Sequence, residues 1–231
     1  MNIAIIPARG GSKRIPGKNI KEFYGKPIIA YSIAAAQASG LFSRIIVSTD
    51  DENIAEVAKQ YGAEVPFMRP SKLADDFSGT VPVIIHAIEE LGKLGINPEY
   101  VCCIYATAPF LLSEFLTEGY CKLINDDSVQ FCFSATSFKS TIFRAFKLDE
   151  HGRCKMFWPE HYFTRSQDLN EAYYDAGQFY WGRKDSFQKY GKIFESYSLP
   201  IIIPHYLVQD IDTNDDWLRA EMMYQALLNK T

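Results

Sequence analysis

The most informative evidence on the fold is the opening stretch, Ile3-Ala4-Ile5-Ile6-Pro7-Ala8-Arg9-Gly10-Gly11-Ser12-Lys13-Arg14-Ile15-Pro16-Gly17-Lys18-Asn19, in which an apolar run is followed by a cationic, glycine-containing loop. The continuous apolar run from Ile3 to Ile6 is typical of a strand that is covered on both faces of a sheet. The loop that follows carries four cationic side chains and three glycines. Cations packed so closely repel one another unless an anion joins them. We therefore interpret the loop as a cradle for a polyphosphate, with a basic surface loop as the alternative.

The loop matches neither of two common phosphate-binding sequences. In a Walker A loop, four residues separate the two glycines and Ser or Thr follows the lysine. Here five residues separate Gly11 from Gly17, and Asn19 follows Lys18. The loop also lacks the G-x-G-x-x-G pattern, which disfavours a Rossmann oxidoreductase.

Downstream of the loop, apolar strands alternate with amphipathic helices. Further strands are predicted at Arg44 to Ser48, Tyr100 to Tyr105, Val129 to Ala135 and Pro200 to Leu207, and helices after Asp51, at Thr80, near Ser113 and around Trp217. Asp51 and Thr80 are the predicted caps of their helices. This alternation predicts an α/β fold with a doubly wound, mainly parallel sheet. Ligands of such sheets bind beyond the C-terminal ends of the strands.

The stretch from about residue 141 to residue 180 interrupts that alternation. It is rich in aromatic and charged residues, and its segment Asp149-Glu150-His151-Gly152 predicts a hairpin tip. We therefore expect a single domain over residues 1–231 with a β-rich insertion at about 141–180. Its aromatic side chains suit an interface between two chains better than they suit water. They are Phe143, Phe146, Phe157, Trp158, Tyr162 and Phe163. The alternative is a flap that packs on its own domain.

A second candidate site is the segment Asp210-Ile211-Asp212. In an extended segment both carboxylates face one side while Ile211 faces the core. Two close carboxylates repel each other and favour a shared divalent cation, commonly Mg²⁺. The alternative is that Asp212 or Thr213 only caps the last helix. For Asp50, capping of the helix that begins near Glu52 is the preferred interpretation.

Composition excludes several classes of protein. The net charge of −4 argues against a protein that binds nucleic acid. No apolar run is long enough to span a membrane, and no charged leader precedes the first strand, so we expect a cytoplasmic protein. The five cysteines show no C-x-x-C spacing, and we expect buried, reduced thiols.

Several landmarks together resemble the CMP-sialic acid synthetase (acylneuraminate cytidylyltransferase) family. They are the Ala8 to Asn19 loop, Ile46-Val47-Ser48-Thr49-Asp50, Arg69-Pro70 with Asp75-Asp76, Thr107-Ala108-Pro109, and Gln209-Asp210-Ile211-Asp212-Thr213. They occur in the family's order and run nearly from end to end. The resemblance implies a Rossmann-like nucleotidyltransferase fold. It also implies transfer of CMP from CTP to the anomeric hydroxyl of a nine-carbon acidic sugar, with release of pyrophosphate.

The resemblance also implies roles for particular residues. The nucleotide-binding residues would be Ala8, Arg9, Gly10, Ser12, Lys18, Asn19, Arg69 and Thr80. The catalytic residues would be Arg9, Lys18, Asp210 and Asp212, and the two aspartates would hold Mg²⁺. In this family the insertion reaches a second subunit and helps to wall its sugar pocket, so a homodimer is expected. For the general base, Asp212 and a metal-bound water remain open alternatives.

The sugar pocket departs from the sialate pattern. Tyr105 stands where sialate enzymes carry Gln, and Tyr174-Asp175-Ala176-Gly177-Gln178 replaces their Arg-Pro-Asn-Gly-Ala element. This segment resembles the pseudaminic acid cytidylyltransferases, which implies a role in bacterial flagellar or surface glycosylation. The expected sugar-binding residues are Tyr105, Arg165, Gln167, Tyr174 and Gln178. The alternatives are N-acetylneuraminic or legionaminic acid as substrate, or a non-catalytic nucleotide-binding regulator.

Overall fold

The computed structural model of the chain describes residues 1–75 and 78–229. The strands are β1 (Asn2–Pro7), β2 (Glu22–Phe23), β3 (Lys26–Pro27), β4 (Arg44–Ser48), β5 (Tyr100–Ile104), β6 (Phe131–Ser137), β7 (Phe146–Leu148), β8 (Cys154–Met156), β9 (Tyr173–Arg183) and β10 (Ser198–Ile202). The helices are α1 (Ile29–Ser39), α2 (Glu52–Gln60), α3 (Thr80–Lys93), α4 (Ser113–Asn125), α5 (Lys184–Tyr190) and α6 (Asn214–Leu228). None of the helices in these ranges has the length and apolarity needed to cross a bilayer.

A six-stranded sheet in the order β10-β6-β9-β5-β1-β4 forms the centre of the molecule. Strand β1 is parallel to β4 and β5, and β6 is parallel to β10. Only β9 among these six runs antiparallel, to both β5 and β6. The prediction of an α/β fold with a mainly parallel sheet is confirmed.

Both faces of the sheet are covered, as the continuous apolar runs predict. Alternate residues of β1 enter different core clusters, so that Ala4 and Ile6 pack on one face and Ile3 and Ile5 on the other. Helices α1, α2, α4 and α6 contribute to the first cluster, and α3 and α5 contribute to the second. The apolar run at the start of the chain is therefore buried on both faces of the sheet, where β1 lies between β5 and β4.

Two predicted boundaries are wrong. Strand β10 ends at Ile202, and a 3-10 turn over His205–Leu207 replaces the end of the predicted strand, because Pro204 has no N–H to pair. The predicted insertion also extends too far, since β9 begins at Tyr173 and lies inside the central sheet. The segment that leaves the sheet is residues 138–172, which we call the excursion. It contains the β7–β8 hairpin, whose predicted tip is confirmed by Gly152 with φ +73°.

The helix caps differ in part from the predictions. Asp51 caps α2 by accepting hydrogen bonds from the Asn53 and Ile54 N–H groups at 2.8 and 3.1 Å, so Asp50 is not the cap. The N-cap of α3 is Gly79, and Thr80 is the first helical residue. Thr213 caps α6 in a capping box with Asp216, and Asp212 is not the cap.

The cysteines are free thiols, but they are not all buried. Cys102, Cys103 and Cys132 are buried, whereas Cys121 and Cys154 are exposed. Burial raises the pKa of the three interior thiols. The prediction was wrong for Cys121, which lies on the exposed side of α4, and for Cys154, which lies in the excursion hairpin, where a short strand has no core to cover it.

Candidate active site

A cavity of about 220 Å³ opens beyond the C-terminal ends of β1 and β5. Its walls come from the loop after β1, the start of α3, the loop after β5 and the segment before α6. The lining residues are Pro7, Arg9, Ser12, Lys13, Arg14, Ile15, Lys18, Asn19, Arg69, Ser78, Gly79, Thr80, Val83, Tyr105, Ala106, Thr107 and Asp212. This position agrees with the general rule that ligands of parallel sheets bind beyond the C-terminal ends of the strands.

The basic loop is held in place by buried anchors. Ile15 is buried in the core, and the buried side-chain amide of Asn19 donates to the Arg9 carbonyl at 2.9 Å. The Ser12 N–H donates to the Gly10 carbonyl at 2.9 Å and closes a tight turn. These contacts leave the long cationic side chains at the mouth of the cavity.

Ala8 and Gly10, two of the predicted nucleotide-binding residues, do not line the cavity. The Ala8 N–H donates to the Ser48 carbonyl at 2.9 Å, and the Gly10 N–H donates to Asp50 Oδ1 at 3.0 Å. A Cβ at position 10 would lie 2.7 Å from Asp51 Oδ2, so close packing requires the glycine. Ala8 and Gly10 therefore fix the loop to the end of β4 and the segment after it through their backbone N–H groups. The positive charge of the cavity comes from the cationic side chains that line it.

Asp212 joins the two ends of the chain at this cavity. Its Oδ2 lies 2.9 Å from Arg14 Nη2, and its Oδ1 lies 3.3 Å from Lys18 Nζ. Lys18 Nζ also donates to the Ile211 carbonyl at 2.6 Å. The structure therefore brings Lys18 and Asp212 together, as two of the predicted catalytic residues. Lys13 and Arg14 also line the cavity, although the site prediction omitted them from the same loop.

Arg69 is a buried cation with unused donors. Its residue is only 5% exposed, and among the described residues Nε and Nη2 have no hydrogen-bond partner. Nη2 lies 3.8 Å from Asp50 Oδ1, which is an ion pair and not a hydrogen bond. Burial lowers the pKa of Arg69, and the nearby Asp50 opposes that shift. Because buried polar groups are almost always paired, these donors indicate a site for an anion.

The two aspartates before α6 share a charged neighbourhood. Ile211 between them is fully buried, and Asp212 lines the cavity while Asp210 does not. Loss of hydration raises the pKa of Asp210, the charge of Asp212 raises it further, and Lys18 lowers it. Within residues 1–75 and 78–229, no three His, Cys, Asp or Glu side chains form a group that could hold a metal. Two carboxylates nevertheless fit Mg²⁺, which often takes one or two carboxylates and completes its shell with phosphate oxygens and water.

A second, larger cavity of about 500 Å³ adjoins the first and shares Gly79, Thr80 and Tyr105 with it. Its other lining residues are Val81, Pro82, Asp175, Tyr180, Gly191, Lys192, Ile193, Phe194 and Glu195. Tyr105 stands at the junction, with its hydroxyl 2.9 Å from Thr80 Oγ1. The site thus has a cationic compartment and a mainly apolar one.

A family model described as cytidylyltransferase matches residues 3–197. The chain belongs to the cytidylyltransferase family. It is 47% identical over 97% of both chains to the pseudaminic acid cytidylyltransferase of Campylobacter jejuni serotype O:2. It is 36% identical, over 90% of this chain and 40% of the relative, to a Helicobacter pylori protein named pseudaminic acid cytidylyltransferase and UDP-2,4-diacetamido-2,4,6-trideoxy-beta-L-altropyranose hydrolase.

The fold of this cytidylyltransferase is shared with a solved structure. CMP:2-keto-3-deoxy-manno-octonic acid synthetase complexed with CTP superposes with a TM-score of 0.72 over 97% of this chain and 98% of that one. Only 14% of the residues are identical, so this likeness concerns the fold alone. The resemblance to the CMP-sialic acid synthetase family is confirmed at the level of the cytidylyltransferase family.

Six of the eight predicted nucleotide-binding residues of this cytidylyltransferase line the first cavity. They are Arg9, Ser12, Lys18, Asn19, Arg69 and Thr80. The landmark Asp76 lies outside the described residues.

Four of the five predicted sugar-binding residues line neither cavity. Arg165 and Gln167 lie on the excursion, where Arg165 pairs with Asp168 at 2.7 Å. The Tyr174 ring packs on Phe138, with ring centroids 4.7 Å apart. Gln178 is buried and its amide donates to the Leu207 carbonyl at 2.5 Å. Only Tyr105 of that set lines either of the two cavities described above, whereas Gln167 lines a separate cavity within the excursion. The sequence prediction missed Asp175 and Tyr180, which line the second cavity.

Proposed function

We propose that this protein transfers CMP from CTP to the anomeric hydroxyl of pseudaminic acid and releases pyrophosphate. The observation that carries the proposal is the buried Arg69, which lines the same cavity as the cationic loop and whose Nε and Nη2 have no hydrogen-bond partner among the described residues. The name of the Campylobacter relative, which matches over 97% of the chain, supports the choice of nucleotide and sugar.

The triphosphate of CTP would occupy the first cavity. Arg9, Lys18 and Arg69 offer charge-assisted donors there, and such contacts are stronger than neutral hydrogen bonds. The attacking hydroxyl must approach the α-phosphorus in line with the departing pyrophosphate, so catalysis depends on positioning and on neutralising the leaving group. Lys18 is well placed for both tasks, because Asp212 and the Ile211 carbonyl fix its ammonium group.

We propose that Asp210 and Asp212 hold Mg²⁺ together with the phosphates of CTP. Loss of hydration, and after it the charge of Asp212, raises the pKa of Asp210, and a shared cation would relieve the repulsion between the two carboxylates. When bound, Mg²⁺ would polarise the α-phosphate and favour deprotonation of the sugar hydroxyl. Asp212 would keep its contacts with Arg14 and Lys18 and so align the ion with the cationic loop.

The sugar would occupy the second cavity. Val81, Pro82, Ile193 and Phe194 give it apolar walls, which suit the acetamido methyl groups and the terminal methyl of pseudaminic acid. Tyr105 at the junction would contact both the nucleotide side and the sugar side.

We also propose a homodimer in which the excursion of one chain packs against a second copy. The excursion exposes large apolar side chains, including Phe163 at 91% and Leu148 at 62%. Patches of this kind mark protein interfaces. In such a dimer Arg165 and Gln167 would face the partner's sugar pocket, although they line no sugar cavity of their own chain.

The test is incubation with CTP, Mg²⁺ and a panel of pseudaminic, N-acetylneuraminic and legionaminic acids, with release of pyrophosphate as the readout. The expected result is release with all components present and the highest kcat/KM for pseudaminic acid. A higher kcat/KM for another sugar of the panel would overturn the sugar assignment and leave the cytidylyltransferase reaction standing. CTP binding without pyrophosphate release from any sugar would favour a regulator.

A further inference from the structure

Asp50 contacts two parts of the first cavity's wall that lie far apart in the sequence. Its Oδ1 accepts a hydrogen bond from the Gly10 N–H at 3.0 Å, and the same oxygen lies 3.8 Å from Arg69 Nη2. Gly10 belongs to the cationic loop, and Arg69 is the buried cation of the wall. Asp50 itself is not among the residues that line the cavity. It is therefore placed to act on a bound nucleotide by its charge and through its two neighbours, and not by contact.

The position of Asp50 follows from contacts at the end of β4. Thr49 Oγ1 accepts from the Asp51 N–H at 3.1 Å, and the Thr49 carbonyl accepts from the Arg69 N–H at 2.7 Å. These contacts hold the backbone on either side of Asp50 and keep the backbone of Arg69 close to it. The cap of α2 is Asp51, so the Asp50 carboxylate is not committed to the helix. The Asp50 side chain is 26% exposed and that of Arg69 is 4% exposed, so water screens the pair only partly.

The Asp50 carboxylate balances the charge of Arg69 without a hydrogen bond to it. A separation of 3.8 Å is too long for a hydrogen bond, but two charges at that distance still attract each other strongly where water is largely excluded. A buried guanidinium without a counter-charge would destabilise the folded protein. The same carboxylate reduces the positive potential that Arg69 contributes to the cavity, because the two charges have opposite signs. Asp50 therefore favours the folded state and opposes the binding of an anion beside Arg69.

We propose that Asp50 is a positioning residue that fixes the cationic loop at Gly10 and acts as the counter-ion of Arg69 in the nucleotide-free protein. The proposal rests on the function proposed above. When CTP binds in the first cavity, its phosphates bring negative charge close to Arg69, and the repulsion from Asp50 weakens their binding. The same repulsion acts on pyrophosphate and favours its release after the transfer. Asp50 thus lowers the affinity for CTP while it stabilises the site and speeds the loss of the product.

The test is the variant Asp50→Asn, which keeps the side-chain shape and an oxygen that can accept from the Gly10 N–H but removes the charge. Calorimetric titration at one Mg²⁺ concentration gives the Kd of CTP and of pyrophosphate. Both ligands should bind about fivefold more tightly or better, whereas the free energy of unfolding without ligand should fall, a combination that a merely structural role would not produce. The control, Glu52→Gln, removes an exposed carboxylate in the first turn of α2 and should change either Kd by less than about twofold. Unchanged or weaker binding of CTP by Asp50→Asn overturns the proposal, and a native protein that does not bind CTP overturns the proposed function instead.

The double variant Asp50→Asn/Arg69→Gln tests the counter-ion role by urea unfolding without ligand. In the Arg69→Gln background no guanidinium is left to neutralise, so Asp50→Asn should no longer lower the free energy of unfolding. An equal fall in both backgrounds overturns the counter-ion role. If Asp50→Asn alone does not fold, the double variant should fold, and its failure to do so overturns the role in the same way. Asp50→Ala also removes the acceptor for the Gly10 N–H and should bind CTP more weakly than Asp50→Asn, and equal affinities overturn the anchoring of the loop.

Discussion

The first cavity and the excursion are built in opposite ways. Around the cavity, charged groups are partly buried and held by contacts between distant segments, such as Lys18 with Asp212. On the excursion, a two-stranded hairpin and short 3-10 turns leave Phe146, Tyr162 and Phe163 exposed. The first region is completed by its own chain, whereas the second leaves apolar surface in water. The comparison supports the proposals that the charges of the reaction are organised within one chain and that the excursion packs against a second copy.

The largest expected effect concerns the aspartates of the cavity. Asp210→Asn and Asp212→Asn should each lower kcat by about a hundredfold or more, because an uncharged amide holds Mg²⁺ poorly. EDTA should abolish activity of the native enzyme, and Mg²⁺ should restore it. The control is Asp185→Asn, which removes an exposed carboxylate in the first turn of α5. Near-normal rates in both variants at limiting Mg²⁺ would contradict the metal assignment.

The next effect concerns the cations of the same cavity. Arg69→Ala and Arg9→Ala should each weaken CTP binding, because a charge-assisted contact is worth about 1.5–3 kcal/mol, or roughly 10- to 150-fold. Calorimetric titration with CTP measures the change. Arg44→Ala is the matched control, since Arg44 lies at the start of β4 and pairs with Glu64 at 3.0 Å. Equal losses in all three variants would argue against a local triphosphate site.

The third prediction concerns the excursion itself. Phe163→Asp should raise the dissociation constant of the dimer by about tenfold or more, because it places a charge in an apolar contact. Sedimentation velocity over a range of protein concentrations measures the change. Leu94→Asp is the matched control, because Leu94 is also exposed, at 55%, but lies at the end of α3. A native protein that stays monomeric at micromolar concentrations would refute the proposed dimer.

The smallest expected effect is on the free energy of unfolding. It involves Asp175, which follows the excursion in sequence and lines the second cavity. Burial raises its pKa, while the hydrogen bonds from Tyr180 and the Gly177 N–H oppose the shift. A raised folded pKa contributes stability that is fully present below the unfolded value of about 4 and is lost as pH rises through the folded value. Asp175→Asn should therefore flatten the decline in unfolding free energy as the pH rises above about 4.

The control for this pH series is Asp126→Asn. Hydrogen bonds from the Ser128 hydroxyl and N–H lower the pKa of Asp126, so its contribution has the opposite sign and is lost as pH falls. Urea unfolding at several pH values measures the free energy of unfolding of the native protein and of both variants. If the two variants shift the profile in the same direction, the assignment for Asp175 is wrong.

Much of the fold could be predicted because its signals are local. Apolar runs indicated β1, β4 and β5, and the Asp149 to Gly152 turn indicated the hairpin of the excursion. Strand β9 was missed as part of the sheet because Asp175 and Gly177 interrupt its apolar pattern. The cap of α2 was assigned to both Asp50 and Asp51, and only the structure shows that Asp50 instead accepts from the Gly10 N–H at 3.0 Å.

By itself, the sequence determined the strand and helix order, the cationic loop and the aspartate pair, because periodicity and local charge are written along the chain. Tertiary contacts account for three further properties: among the described residues the buried Arg69 has no hydrogen-bond partner for Nε and Nη2, Asp212 pairs with Lys18, and a bulge in β9 brings Asp175 and Tyr180 to one cavity. These properties depend on contacts between segments far apart in sequence. Burial and strand register are set by such contacts and not by any one segment.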